Sequence, residues 1–336
     1  MLEEFSSVWH GKIVLFDCLS VSCTLTKAKD FPSVCLHLRF KTIAAMHKKY
    51  KIIGSGKVDL GELKTRDSGN FFASEEETKD LVEKDVMKMG RLQQRFYAEG
   101  KHALLLIFQG MDTSGKDGCI RHLFSGMNPE GCTATSFKQP TQLELSHDFM
   151  WRHYAALPGK GTISIFNRSY YENVLVTRVH PELLLKENIP AIRKPGDAGE
   201  TFWKTRFDTI NAFEEGLIES GTIILKFFLH ISKAEQKSRL LARIDDEAKN
   251  WKFSLDDVKE RAFWKDYRSS YEDMLRYTGT SAAPWWVIPS DEKWFSRAVI
   301  GRIVVNTMEK MDLRFPEVDE EQKAVLKKAG KKLEAE

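Results

Sequence analysis

The sequence predicts an α/β fold, a parallel β-sheet with helices on both faces and a helical lid, and three observations predict it. Short apolar runs alternate with helical stretches at the spacing of βαβ units. The runs are apolar throughout instead of alternating with polar residues, as in strands covered on both faces. A glycine-rich loop joins the first run to a helix, the context a phosphate-binding loop requires.

The elements follow in order. Residues 1–50 form an N-terminal extension with strand-like alternation around 12–16 and Ser/Thr clusters. An extra element, an unstructured arm and a start codon placed too early stay open as readings of it. Residues 51–101 are an arm and a leading helix. Ser74 and Glu77 have capping-box spacing, Leu81, Val82, Met89, Leu92 and Phe96 recur at helical spacing, and Gly100 supplies the stop. β-like runs are predicted at 103–108, 133–137, 162–166, 222–229 and 285–288. Helices are predicted at 116–126, 142–156, 201–220, 232–245 (Ser232 with Glu235 as a second capping box), 255–277 and 292–311. The main domain is thus 102–312, with a lid at about 232–267. A Glu/Lys-rich tail, 313–336, is read as a fraying helix.

Composition narrows the class. In 336 residues, 42% hydrophobic content is enough for a full core. The net charge of +3 comes from mixed charges, so bulk-charge binding of nucleic acid is not implied. The five cysteines, Cys18, Cys23, Cys35, Cys119 and Cys132, contain no CxxC pair and no zinc spacing, and the odd total argues against a secreted disulfide framework. No apolar run approaches the roughly 18 residues of a membrane span, and the acidic start is unlike a signal peptide. These features predict a cytoplasmic protein with reduced thiols and no membrane partner.

Gly110, Met111, Asp112, Thr113, Ser114, Gly115, Lys116, Asp117 and Gly118 follow the first run. The spacing is glycine, four residues, glycine, lysine. The glycines let backbone N–H groups turn inward around a phosphate, and the helix after them adds its positive end. Lys116 supplies a cation for the transferred group. Asp117 stands where Ser or Thr would bind Mg²⁺; a carboxylate there still suits the metal. Asp112 is a second carboxylate beside the phosphates.

The third run ends in Asn167, Arg168, Ser169, Tyr170, Tyr171, Glu172 and Asn173, at the strand end that overlooks a ligand crevice. Asn167 takes the place of a metal-binding acid, and Arg168 suits bidentate pairing with phosphate or an acid. Arg121, Lys138, Arg152 and Arg178 are further candidates for a substrate with several phosphates, although each singly reads as a solvated charge. Arg239, Arg243, Lys249 and Lys252 fall where nucleotide kinases place a basic lid. Trp264 and Tyr267 read as core and lid packing.

Together these stretches resemble the polyphosphate kinase 2 family from about residue 51 to about residue 311. The resemblance is carried by GMDTSGKDG at 110–118, NPEGCTATSFKQPT at 128–141, HDFMWRHYAALPGKG at 147–161, FNRSYYENVLVTRVH at 166–180, the lid segment 224–254 and APWWVIPSDEKWF at 283–295. It implies a thymidylate-kinase-like P-loop fold, and Mg²⁺-dependent phosphoryl transfer between inorganic polyphosphate and adenine nucleotides, with guanine left open. The Asn167-Arg168-Ser169 form is similar to the class III subgroup, whose members accept both AMP and ADP. Carried over by position are Asp112, Lys116, Asp117, Asn167 and Arg168, with metal ligands among Asp112, Asp117 and Asn167. The resemblance also implies a dimer or tetramer. Two rival readings stand beside it, an ATP-dependent nucleotide kinase and a non-catalytic nucleotide- or polyphosphate-binding regulator.

Overall fold

The computed structural model describes residues 45–336 except 47, 55, 68–71 and 73. The alternation at 12–16 and Cys18, Cys23 and Cys35 lie outside the described residues. A six-stranded sheet organises the chain: β1 (Lys51–Ile52), β2 (Ala103–Gln109), β3 (Cys132–Ser136), β4 (Ile163–Asn167), β5 (Thr222–His230) and β6 (Trp285–Pro289). The order is β1-β6-β5-β2-β4-β3, and β2 through β6 pair in parallel. The five predicted runs match these strands to within a residue or two at either end. β2 is buried along its whole length, so it has no polar face.

Two details depart from the sequence reading. β3 is an edge strand, half exposed, because its small and polar residues, Cys132 to Ser136, meet a neighbour on one side only. The arm after residue 50 contributes β1, which pairs antiparallel with β6. Two residues carry no periodicity, so nothing in the arm signalled a strand.

Helices cover both faces. The larger ones are α1 (Glu75–Glu99), α2 (Lys116–Leu123), α3 (Glu172–Val179), α4 (Glu200–Glu219), α5 (Lys233–Asp245), α6 (Trp264–Thr278), α7 (Lys293–Glu309) and α8 (Glu320–Glu334). One core joins α1, α2 and α7 to one sheet face through residues such as Met89, Leu106, Leu123, Ile165 and Val304. The other joins α3, α4 and α6 to the opposite face through Leu105, Phe166, Leu175, Ile210 and Met274. α1 starts at Ser74, whose side chain accepts from Glu77 N, the serine half of the expected capping box, and stops at Gly100 in the left-handed conformation at φ 62°. α8 has no buried residue.

Three helix expectations need correction. The stretch 142–156 is two short helices, Gln142–Leu145 and Trp151–Tyr154. Ser146 Oγ turns back to Leu143 O, and Asp148 Oδ1 takes Met150 N, so local side chains end one helix and start the next. The stretch 255–277 is broken at Arg261–Phe263 into Leu255–Glu260 and α6. α3 was not foreseen, because it starts inside the polar strand-end motif. Among the described residues no helix is long and apolar enough to cross a membrane, and Cys119 and Cys132 are free.

The topology fixes the place of a ligand. β2 lies between β4 and β5, so the chain leaves it towards one side of the sheet and later returns on the other. In open parallel sheets the crevice at the C-terminal ends of strands on either side of such a switch is the binding site. Residues 110–116 occupy it.

Candidate active site

The loop from β2 to α2 is built on backbone conformations that select its residues. Gly110 has φ 151° and Gly115 has φ 103°. A Cβ on Gly110 would stand 2.7 Å from Leu229 O and 2.8 Å from Ser114 Oγ. Gly110→Ala is therefore expected to lower the unfolding free energy by roughly 1–3 kcal/mol and to displace the loop, a loss that urea denaturation and phosphate-dependent activity will both register.

Lys116 opens α2 and folds back over the loop. Its Nζ donates to Gly110 O at 2.6 Å, to Met111 O at 3.1 Å and to Ser114 Oγ at 3.5 Å. Burial pushes its pKa down to about 8, and Arg168 adds to this; Asp112, Glu172 and Asp117 oppose it. The cation thus sits in the middle of the loop, poorly hydrated and surrounded by groups of both signs.

β4 delivers the second half of the site. Phe137 N donates to Asn167 O at 3.1 Å and Arg168 N to Phe108 O at 3.0 Å, which ties the ends of three strands together. Arg168 takes the left-handed conformation at φ 63°. That turn aims its guanidinium back across the crevice, where it donates to Asp112 Oδ1 at 2.5 Å and Glu172 Oε2 at 3.2 Å. Glu172 and then Asp112 hold it firmly charged against the opposing effect of burial. Asn167 Nδ2 donates to Asp117 Oδ1. Asp112, Lys116, Asp117, Asn167, Arg168 and Glu172 therefore converge from two loops 50 residues apart. Behind them, buried Ser169 accepts from Gln109 Nε2 at 3.1 Å and from Tyr171 N at 3.3 Å.

The remaining candidates divide. Arg239 was expected on the lid as a phosphate contact, and the structure corrects this. Its NH1 donates to Thr113 O (3.0 Å) and Ser114 O (2.9 Å), its NH2 to Ser290 O (2.5 Å) and Asp291 O (3.0 Å), and its Nε to Glu235 Oε1 (2.7 Å). All five donors of the guanidinium are committed, so Arg239 braces the loop from behind. The same contact takes Glu235 away from the cap of α5, where only the Ser232 half of the expected box forms. Arg243 pairs with Asp257 at 3.1 Å. Arg178 pairs with Asp273 at 2.7 Å and lies over Trp203. Asn173 is occupied in local contacts of α3. Arg152 donates to Lys138 O at 2.8 Å beside the end of β3 and pairs with Glu144 at 3.7 Å; burial lowers its pKa, against the charges of Glu144 and then Glu172. Lys138 and Arg121 are exposed, as are Lys249 and Lys252 on the lid.

Three groups escaped the sequence reading. Gln236 Nε2 donates to Asp112 O at 3.0 Å, so α5 grips the loop directly. Lys293 and Arg297 lie on α7, with the Arg297 guanidinium against Gly118. Burial, then Arg239, Arg297 and Lys249, lower the Lys293 pKa, which marks a cluster of cations on that flank. A signal was available: two cations four residues apart in the first turns of a helix oppose its dipole, an arrangement that an anion relieves.

Among the described residues no three histidine, cysteine or carboxylate side chains gather as a metal cage. The donors by the loop are two carboxylates and an amide. That set suits a hard cation which keeps most of its shell as water and substrate phosphate, and it does not suit zinc.

A parallel sheet with this strand order and a Gly-x4-Gly-Lys loop at its switch point defines a P-loop phosphotransferase. The profile of the family described as Polyphosphate kinase 2 matches residues 72–316. The chain belongs to the polyphosphate kinase 2 family. It is 45% identical over 270 residues to an ADP-polyphosphate phosphotransferase of Rhodopseudomonas palustris, a match covering 80% of this chain and 92% of that one. It is 38% identical to an AMP/ADP-polyphosphate phosphotransferase of Meiothermus ruber, covering 80% and 96%. The crystal structure of polyphosphate kinase 2 from Arthrobacter aurescens TC1 superposes with a TM-score of 0.73 at 36% identity, over 82% of this chain and 95% of that one. Kinase activity in this family generally needs a divalent metal.

Proposed function

We propose that the chain transfers a phosphoryl group between inorganic polyphosphate and AMP or ADP. The observation that carries this is the convergence of Lys116, Arg168, Asp112, Asp117 and Asn167 at one loop mouth. Kinship with proteins named for polyphosphate and AMP or ADP supports it.

In the synthetic direction a terminal phosphate oxygen of the nucleotide attacks the end phosphorus of polyphosphate in line. A new P–O bond forms, the bridging P–O bond breaks, and the shortened chain leaves with the bonding electron pair. The attacking oxygen is already ionised at neutral pH, so no strong base is needed. Catalysis rests on positioning and charge neutralisation. Backbone N–H groups of 110–118 cradle the transferred phosphate, and Lys116 neutralises its equatorial charge. Arg168 bridges donor and acceptor while fixing Asp112, which orients the acceptor. Lys249, Lys293 and Arg297 carry the rest of the polyanion. Mg²⁺ is the proposed metal; Asp117 and Asp112, with Asn167, would hold it, and it would supply neutralisation of phosphate charge.

The test is a coupled assay offering ATP or polyphosphate as donor to AMP, ADP and GDP. Turnover with polyphosphate and either adenine nucleotide is expected. Turnover with ATP alone would replace this reading with an ordinary nucleotide kinase, and polyphosphate binding without turnover would replace it with a regulator. In the same assay EDTA is expected to abolish turnover and excess Mg²⁺ to restore it.

A further inference from the structure

The arm does more than complete the sheet. It crosses the ends of β5 and β6 and is fastened there at several points. His230 Nε2 lies 3.0 Å from Leu60 O, and Leu60 N donates to Glu272 Oε1 at 2.9 Å. Thr65 Oγ1 donates to Asp291 Oδ2 at 2.8 Å, and Asp291 N donates to Thr65 O at 3.0 Å. Asp291 Oδ1 also accepts from Ser232 N at 2.9 Å. One carboxylate thus joins the arm, the loop after β6 and the start of the lid.

Between the arm and these elements lies a cavity of about 530 Å³. That volume is in the range of small-molecule sites, roughly 300–1,000 Å³. Met111 of the phosphate loop forms part of its wall, so the cavity borders the place where phosphoryl transfer occurs.

The wall chemistry selects a ligand. Leu60, Leu63, Phe228 and Ile231 give it apolar surface, and Trp264 gives it an aromatic face. Trp264 reads from the sequence as core and lid packing. It stands only half-buried, apart from both cores, with Lys233 Nζ 5.9 Å over its ring. Of the four cations on the wall, Arg268 pairs with Asp59 and Glu272 and Arg66 with Glu292, while Lys64 and Lys233 are exposed at its rim. On the opposite flank of the loop Lys293 stands among Arg239, Arg297 and Lys249, the last paired with Asp246. A bare polyanion suits that flank. It gains nothing from an indole and aliphatic side chains, whereas a flat nucleobase does.

The geometry points to the arm-walled cavity as the subsite for the nucleoside of the acceptor, its base against Trp264 and its phosphates at the loop mouth beside Met111. This rests on the reading of the chain as a nucleotide phosphotransferase, and it assigns the two substrates to opposite flanks of one loop. The arm then acts as a wall of the acceptor site.

The test is calorimetric titration of ADP into the full chain without polyphosphate, repeated with pyrophosphate as a ligand that lacks the nucleoside. Trp264→Ala is expected to weaken ADP binding about tenfold or more, the scale of a lost base–aromatic stack, and to leave pyrophosphate binding within about twofold. Trp264→Phe keeps an aromatic face and is expected to retain ADP affinity within a few-fold; Trp264→Leu keeps bulk alone and is expected to lose it. In kinetics, Trp264→Ala raises KM for ADP and not KM for polyphosphate. Unchanged ADP affinity in Trp264→Ala, or an equal loss for pyrophosphate, would overturn the assignment. Wild-type protein that binds ADP and never turns over with polyphosphate would defeat the proposed reaction while leaving the subsite standing.

Discussion

Replacing Lys116 with alanine is expected to lower polyphosphate-driven phosphorylation of ADP by about two to four orders of magnitude. The reason is where the cation sits. Its Nζ reaches two loop carbonyls and Ser114 Oγ within 3.5 Å, so it stands in the nest where the transferred phosphate belongs. Burial already makes the charged form costly there, with the pKa pushed down to about 8, and an arriving phosphate restores the preference for charge. Charge that strengthens on meeting the transferring group lowers the barrier more than it tightens ground-state binding. Lys116→Arg is not expected to rescue, because a planar guanidinium does not fit a pocket shaped for a point charge. Single-turnover rates and urea unfolding, measured on the same samples, separate lost chemistry from lost fold. Near-normal turnover in the alanine variant would remove Lys116 from the mechanism.

What was legible in the sequence follows a physical rule. Four of the five parallel strands, β2, β4, β5 and β6, were readable because burial on both faces leaves a mostly apolar run, as in Ala103–Phe108, or on β5 with a lysine interrupting it; β3, half exposed at the edge, has no such run. The loop was readable because glycine spacing and lysine are local. β1 was not, since Lys51–Ile52 owes its strand conformation to β6, more than 230 residues away. Arg239 was misjudged for the same reason. Nothing in its own helix reveals that Thr113 and Ser114, 126 and 125 residues earlier, present carbonyls to it. Asp112, Arg168 and Asn167 were identified as candidates, while their mutual pairing depends on the left-handed turn at Arg168, which sequence does not announce. Trp264 was seen as an aromatic residue, and only the fold reveals which wall it lines.

The largest expected effect on stability lies beneath the site, at Lys226. This lysine is fully buried on β5. Its Nζ donates to Glu214 Oε2 at 2.6 Å, to Thr278 O at 2.6 Å and to Tyr171 OH at 2.9 Å, which uses all three of its protons. Glu214 Oε1 accepts from Tyr170 OH and Tyr171 OH, each at 2.7 Å. Burial pulls the Lys226 pKa down and Glu214 opposes that fall, so each charge is tolerable only while the other is present. Lys226→Met strands a carboxylate and Glu214→Gln strands an ammonium; each is expected to cost roughly 3–5 kcal/mol of unfolding free energy. The double variant leaves no unpaired charge and is expected to lose clearly less than the sum of the two, by more than about 1 kcal/mol in a urea double-mutant cycle. Additivity within about 0.5 kcal/mol would mean that the pair is not coupled. The network also has a catalytic reach. Tyr170 and Tyr171 lie two and three residues after Arg168, whose turn has φ 63°, and their hydroxyls both donate to Glu214 Oε1. A variant of the pair that still folds is therefore expected to lose turnover as Arg168 drifts from Asp112. In Arg168→Ala, which has no guanidinium left to misplace, adding Glu214→Gln should cost little further activity.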